Sequence, residues 1–207
     1  MSLLSITYAA LFYLATAVMV IGLALKIRGY LRTPAPLKIP TTPAPTTSIG
    51  VALRLTREVV FFESLFKASK WTWVFGWMFH AALLLVLLRH LRYFQQPVWT
   101  PIVWVQAVGT YAAFALVIGL GGLWARRFLV DRVRYISTPS DHLHLALLLA
   151  IGLTGLGMRF VAPTDIVALK AFTLGLLRFD LQPLPTDPLL LLHLALVSLL
   201  MLVFPIS

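Results

Sequence analysis

The sequence contains no cysteine among its 207 residues. The chain therefore cannot form disulfides, ligate an iron–sulfur cluster through cysteine or attach haem through thioether bonds. Charge is scarce as well, because Asp, Glu, Lys and Arg together make up only 12% of the residues. Acidic residues number seven against seventeen basic ones, which gives a net charge of +10. So little charge excludes an ordinary soluble domain.

Long hydrophobic runs dominate what is present. Hydrophobic residues make up 60% of the chain, and the mean hydropathy is +0.91. A transmembrane helix needs about 20 apolar residues, whereas membrane strands show shorter alternating segments that are not found here. The sequence therefore predicts an all-α integral membrane protein, one domain over 1–207, with a bundle of five transmembrane helices. The predicted spans are 5–25, 71–91, 102–124, 143–161 and 188–205.

The basic residues follow the loops and do not form one nucleic-acid-binding face, so no nucleic acid is expected as a partner. Twelve of the seventeen follow the first or third span, and the other five fall on the opposite side. By the positive-inside rule, the N-terminus is expected outside and the C-terminus inside. The first span lacks a basic leading region and a small-residue cleavage site, so it is interpreted as a retained anchor. The inner group comprises Lys26, Arg28, Arg32, Lys38, Arg54, Arg57, Lys67, Lys70, Arg126, Arg127, Arg132 and Arg134.

The connections between spans differ in character. Residues 32–50 hold five prolines and predict an extended inner loop. Residues 51–69 carry one apolar stripe and predict an interfacial amphipathic helix, which either rests on lipid headgroups or docks a cytoplasmic subunit. A short apolar helix is expected over 165–177, and Ser140 or Asp141 is expected to cap the fourth span.

Three histidines stand in the apolar segments. His80 and His90 lie on the second span, about 15 Å apart along a helix, and His193 opens the fifth. A polar ring in hydrocarbon needs a partner, and haem iron accepts neutral imidazole as an axial ligand. The predicted topology puts His90 and His193 at one depth near the outer face, where they can share one iron. Hydrogen bonding to a neighbouring helix, zinc or copper binding, and a proton relay in a transporter or scaffold remain alternatives.

His142 and His144 lie near the inner start of the fourth span. Being two residues apart, they point to different faces of a helix. They are interpreted as interfacial histidines, or one of them as a proton carrier or as a substitute ligand opposite His80. By helix rise, His144 lies about 9 Å closer to the inner face than His80, a poor match for one shared iron.

Several stretches resemble a known superfamily. The segment from Phe79 to His90, with its two histidines, and the segment from His193 to Phe204-Pro-Ile-Ser207 are similar to the di-haem cytochrome b (gamma) subunit of respiratory nitrate reductase and its relatives. Residues 32–47, 131–139 and 204–207 most resemble the membrane cytochrome b of the complex associated with dissimilatory sulfite reductase. The resemblance covers nearly the whole chain.

The resemblance implies two b-type haems. The outer haem would lie between His90 and His193, and the inner one would use His80 with a second span-five histidine four positions beyond Ser207. The natural protein would then be longer than the given sequence, unless His142 or His144 substitutes. Arg89 and Arg92 could pair with the outer haem's propionates or anchor the helix end by snorkelling.

The resemblance also implies a function. The chain would pass electrons between a quinone or menaquinone pool on the outer side and a cytoplasmic iron–sulfur subunit resembling heterodisulfide reductase. Its setting would be sulfite or sulfide metabolism in a prokaryotic inner membrane, within a larger complex. A quinol-oxidising subunit of a nitrate reductase-like complex is the nearest alternative. Candidate quinone contacts are Gln106, Arg159 and Asp187, each of which is otherwise a loop or interface residue.

Overall fold

A computed structural model describes residues 2–34 and 45–206, and in these ranges every regular element is a helix. A single 3₁₀ turn, Leu91–Tyr93, follows α4. The helices are α1 (Leu3–Arg32), α2 (Ser48–Phe61), α3 (Glu63–Ala68), α4 (Lys70–His90), α5 (Thr100–Leu129), α6 (Asp131–Ile136), α7 (Pro139–Phe160), α8 (Ile166–Arg178) and α9 (Pro188–Val203).

Four helices are long and apolar enough to cross a membrane. They are α1, α4 with its 3₁₀ turn, α5 and α7. The fifth apolar helix, α9, has 16 residues, so its length of about 24 Å falls short of a hydrocarbon layer of about 30 Å. The chain is therefore a multi-pass membrane protein with four spans by length and composition.

Local sequence signals explain where several helices begin. Proline occupies the first turn of α5, α7 and α9, where its missing N–H costs nothing. The capping residue of α7 is Thr138, whose hydroxyl accepts from the Asp141 amide while the Asp141 carboxylate accepts from the Thr138 amide. The expected cap at Ser140 or Asp141 was wrong, because Asp141 is the third helical residue and completes this capping box.

Contacts along the helices define two ends of the bundle. Tyr8 of α1 donates to the Leu191 carbonyl of α9 over 2.9 Å, and Gly22 lies against Pro205, so α1 and α9 run in parallel. At the end that we call the His90 end, α4 and α7 finish while α1, α5 and α9 begin. At the opposite end, called the Lys70 end, Trp71 of α4 donates to the Gly122 carbonyl of α5 over 3.0 Å.

The long helices pack in the order α4, α5, α7, α9, α1. The tightest approach is between α4 and α5, because glycine removes the side chain where the backbones meet. A Cβ at Gly119 would lie 3.0 Å from both the Phe75 carbonyl oxygen and the Phe79 amide nitrogen. Buried Ala82, together with Leu116 and Leu120 of α5, fills the remaining space of this contact.

The segment predicted as one interfacial helix over 51–69 is two helices, α2 and α3. Phe62 separates them in the left-handed conformation, at φ 52°. Glu58 stabilises this bend by accepting from the amide of Ser64 over 3.0 Å and from its hydroxyl. The predicted apolar stripe is therefore broken at Phe62. We call the α2–α3 segment, Ser48–Ala68, the elbow.

The elbow is fastened to the first turns of α4. The indole of Trp73 donates to the Phe61 carbonyl over 2.7 Å, and the indole of Trp77 donates to the Val60 carbonyl over 2.9 Å. These bonds satisfy carbonyls that the end of α2 leaves unpaired. The predicted loop over 32–50 is shorter than expected, because α1 continues to Arg32 and α2 begins at Ser48. Residues 35–44 of that prediction lie outside the described residues.

Candidate functional site

The imidazole rings of His90 and His193 lie next to each other at the His90 end. His90 is the last residue of α4, and His193 lies six residues after Asp187, which precedes α9. Their ring centres are 6.5 Å apart, and their planes are inclined by only 13°. Since α4 packs mainly on α5 while α9 packs on α7 and α1, the two imidazoles meet between helices that are not neighbours in the packing order.

The spacing of the two rings fits a shared metal. Bonds of about 2 Å from one nitrogen of each imidazole to a metal would put the ring centres about 6 Å apart. Two imidazoles suffice as axial ligands of a haem iron. By contrast, no group of three or more His, Asp or Glu side chains in the described part of the chain is close enough to hold a metal ion. The donor set therefore fits haem better than zinc.

Hydrogen bonds select the nitrogen that each ring can offer. The Nδ1 of His90 lies 2.7 Å from the Val86 carbonyl, and the Nδ1 of His193 lies 2.8 Å from the hydroxyl of Thr154. A carbonyl oxygen only accepts, so the His90 Nδ1 carries the proton and its Nε2 keeps the lone pair. This arrangement is typical of metal-binding histidines, whose second nitrogen is held by an acceptor.

His193 is the more enclosed of the two rings. It is buried, whereas His90 keeps accessible surface on the edge of α4. Gly155 of α7 lies directly beside the His193 ring, and a Cβ there would come within 3.5 Å of the imidazole Cε1. Helix α7 thus supplies both a wall and a hydrogen-bonding partner for His193.

His80 lies ten residues before His90 on α4. Its Nδ1 is 2.7 Å from the Gly76 carbonyl, which leaves Nε2 free as in His90. Phe62 of the elbow and Phe79 both meet its ring nearly at right angles. In the ranges that the structure describes, no second imidazole contacts the ring of His80.

The other two histidines lie at the Lys70 end and are held separately. His142 accepts at Nδ1 from the indole of Trp124 over 3.0 Å. The Nδ1 of His144 lies 2.7 Å from the Ser140 carbonyl, and its Nε2 is buried without a hydrogen-bond partner among the described residues. Neither ring is paired with His80, because both lie on α7 and α5 stands between α7 and α4 in the packing order.

Arg89, Arg92 and Gln106 form one hydrogen-bonded group next to His90. Arg92 donates to the Gln106 side-chain carbonyl over 3.0 Å, and the Gln106 amide nitrogen donates to the Arg89 carbonyl over 3.4 Å. Arg89 donates to the hydroxyl of Thr110. Three of the residues predicted to serve the outer site are thus brought together on the α4–α5 side.

Two further candidates stand apart from this group. Arg159 is exposed near the end of α7, with its charge close to that of Arg89. Asp187 precedes α9 and makes no capping hydrogen bond with its side chain. None of Arg89, Arg92 and Arg159 forms an ion pair with a described residue. The His90 end therefore carries positive charge that an anionic group could neutralise.

Sequence reasoning missed Thr154 and Thr110. Both are threonines in apolar helices, and a membrane helix often satisfies such a hydroxyl with its own backbone carbonyl. Their position in long apolar runs was a weak signal of a polar contact. Their partners, His193 and Arg89, lie on other helices and became visible only in the folded chain.

Comparisons with known proteins point to one family. No family model matches the chain. A protein of Archaeoglobus fulgidus, named Hdr-like menaquinol oxidoreductase cytochrome b-like subunit, is 33% identical over an alignment covering 94% of this chain and 72% of the relative. A protein of Archaeoglobus profundus with the same name is 30% identical, covering 90% and 67%. The chain therefore belongs to the family of cytochrome b-like membrane subunits of Hdr-like menaquinol oxidoreductases.

Proposed function

We propose that this chain is a haem b-carrying membrane subunit that transfers electrons between menaquinol at the His90 end and a partner subunit at the Lys70 end. The observation that carries the proposal is the pair of imidazoles from His90 and His193. Their spacing, near-parallel planes and bonded Nδ1 atoms fit the axial ligands of one haem.

Haem held by two imidazoles supplies a one-electron carrier whose potential depends on its ligands and surroundings. In this chain, Val86 and Thr154 hold the two ligand rings in place. Arg89, Arg92 and Arg159 would provide cations for the propionates of a bound haem, which need neutralising groups at the edge of an apolar layer. With an acceptor at Nδ1, each imidazole stays neutral and its Nε2 is available to bind iron.

A second haem at His80 is part of the proposal. Its Nδ1 is bonded to the Gly76 carbonyl in the same way as that of His90, so its Nε2 is equally suited to iron. As the family resemblance implies, its second axial ligand would also be a histidine. His142 and His144 suit this role less, because α5 separates their helix from α4.

The proposed orientation places the His90 end outside and the Lys70 end inside. The Lys70 end carries eleven described basic residues of the inner group, whereas the opposite end carries five. Cytoplasmic loops of membrane proteins carry an excess of Lys and Arg, which favours an orientation with the Lys70 end inside. With α9 as a fifth, short span, the N-terminus lies outside and the C-terminus inside a prokaryotic cytoplasmic membrane.

The menaquinol site is proposed at the His90 end. Gln106, Arg159 and Asp187 supply amide, guanidinium and carboxylate groups there that can hydrogen-bond quinone oxygens. Gln106 connects directly to Arg89 and Arg92, which flank the ligand His90. A quinol bound on this side would release its protons outward.

The partner is proposed to be a cytoplasmic iron–sulfur subunit resembling heterodisulfide reductase, in a complex of sulfite or sulfide metabolism. The name of the Archaeoglobus relatives refers to an Hdr-like oxidoreductase, which supports an assembly of this kind. The chain has no cysteine to ligate a cluster of its own. The basic Lys70 end and the elbow offer the surface for that subunit.

The test is haem stoichiometry in matched variants of the full-length protein. The wild type should show the absorption bands of reduced haem b, and His90→Ala and His193→Ala should each lose the same single haem. His142→Ala is the matched control, since its ring is bonded to Trp124 and should not affect haem content. Colourless wild-type protein, or full haem content in both variants, would refute the proposal.

A further inference from the structure

The three proposed ligand histidines are not held alike. His80 and His90 each direct Nδ1 to the backbone carbonyl four residues earlier on their own helix, at 2.7 Å. His193 instead directs Nδ1 to a side chain on another helix, the hydroxyl of Thr154, at 2.8 Å. Only at His193 is one of the nearby acceptors a side chain, which a substitution can remove.

The direction of this hydrogen bond follows from proton counting. The Thr154 hydroxyl has one hydrogen, and its Oγ lies 2.8 Å from the Ala150 carbonyl and 3.0 Å from the Ile151 carbonyl of its own helix. Carbonyls only accept, so the hydroxyl proton is used within α7. The nearby Ile151 carbonyl can likewise only accept from the His193 ring, so Nδ1 carries the proton and the Oγ accepts from it.

Both partners are enclosed. Thr154 is 9% exposed and His193 is 7% exposed, so water does not compete for the bond. A hydroxyl that already donates to a carbonyl is a stronger acceptor than an isolated one, because linked hydrogen bonds polarise each other. The chain from Ala150 through Thr154 to His193 is therefore a fixed, dry contact between α7 and α9.

We propose that Thr154 is a positioning residue that fixes the tautomer of His193 and tunes the haem bound by His90 and His193. This inference rests on the proposed function. An acceptor on Nδ1 makes an imidazole more electron-donating, and second-sphere bonds of this type orient and tune metal ligands. More donation favours the oxidised iron, so Thr154 holds the midpoint potential of this haem lower than it would otherwise be.

The experiment compares Thr154→Val, Thr154→Ser and Ser198→Ala in the full-length haem-loaded protein by redox titration. Valine keeps the shape of threonine but cannot accept, so the potential of one haem should rise while that of the other stays unchanged. Serine keeps the hydroxyl and should preserve the wild-type potential. Ser198 is the control, because its buried hydroxyl donates to the Leu194 carbonyl within α9 and does not touch the ligand ring.

A second readout reports ring orientation. The ferric paramagnetic resonance signal depends on the angle between two axial imidazoles, and loss of the Thr154 contact should alter it for one haem only. If valine weakens haem retention, Thr154→Ala gives the same test with a smaller side chain and should show the same rise in potential.

The results separate this inference from the proposed function. A wild-type protein without haem would overturn both. Haem present in Thr154→Val with potential and resonance signal unchanged would overturn the Thr154 role alone. That outcome would mean that the His193 proton is satisfied by the nearby Ile151 carbonyl. A serine variant that shifts like valine would also contradict it.

Discussion

The ring of Phe62 stands edge-on to the imidazole of His80, with centres 5.1 Å apart and planes inclined by 85°. Phe62 is also the left-handed residue that joins α2 to α3. Phe62 therefore connects the bend of the elbow with the surroundings of His80. A partner that docks on the elbow would lie next to the proposed inner haem.

His80 is expected to be a ligand and His144 is not. His80→Ala should lose one haem and keep the one bound by His90 and His193. His144→Ala should keep both, because α5 separates α7 from α4 and its ring is directed to the Ser140 carbonyl. Haem quantification per purified chain checks this. Loss of one haem from His144→Ala would instead identify His144 as the second ligand of His80.

Close packing between α4 and α5 should make Gly119 intolerant of a side chain. A Cβ there would lie 3.0 Å from backbone atoms of Phe75 and Phe79, so Gly119→Ala should destabilise the fold by about 1–3 kcal/mol. Gly121 on the same helix has nothing within 4 Å of an added Cβ, so Gly121→Ala should be neutral or stabilising by up to about 1 kcal/mol. Thermal unfolding in detergent compares them. Equal melting temperatures would contradict the close contact.

The elbow should respond to acid through Glu58. Hydrogen bonds from the hydroxyl and amide of Ser64 lower the pKa of the Glu58 carboxyl below its ordinary value. Because the pKa of Glu58 is lowered in the folded state, the stabilisation from this contact is fully present above the ordinary pKa of a glutamate. The stabilisation is lost as the pH falls through the lowered pKa of the folded state. Ser64→Ala should therefore raise the pKa of Glu58.

The pKa of Glu58 is measured by following the NMR chemical shift of its carboxyl carbon against pH in labelled protein. The control is Glu63, whose pKa is lowered chiefly by Lys67 and should not move in Ser64→Ala. Equal shifts at both carboxyls would show that the elbow unfolds as a whole. No shift at Glu58 would contradict the Ser64 bond.

The prediction of long helices succeeded where hydrophobicity alone decides the structure. Runs of apolar residues near α4 and α9 predicted helices whose bounds lie within two residues of the observed ones. Helix α5 is longer than predicted, Thr100–Leu129 against 102–124, because Arg126 and Arg127 continue the helix beyond the apolar run. Charged side chains do not end a helix when their heads reach water.

The elbow could not be predicted in the same way. Nothing in the residue pattern marked Phe62 for the left-handed region, which most residues other than glycine avoid. Its conformation is maintained by Glu58 bonded to Ser64 and by the indoles of Trp73 and Trp77. These contacts outweigh the local preference, and they exist only after α4 has packed beside the elbow.

The sequence by itself determined that this chain is helical and lies in a membrane, because its apolar runs are too long and too free of charge to be stable in water. It also singled out the histidines, since polar rings are rare in such runs. Tertiary structure alone decided which rings meet and which groups hold them. A contact such as Thr154 with His193 joins residues 39 positions apart. It depends on how two helices cross, which no local pattern encodes.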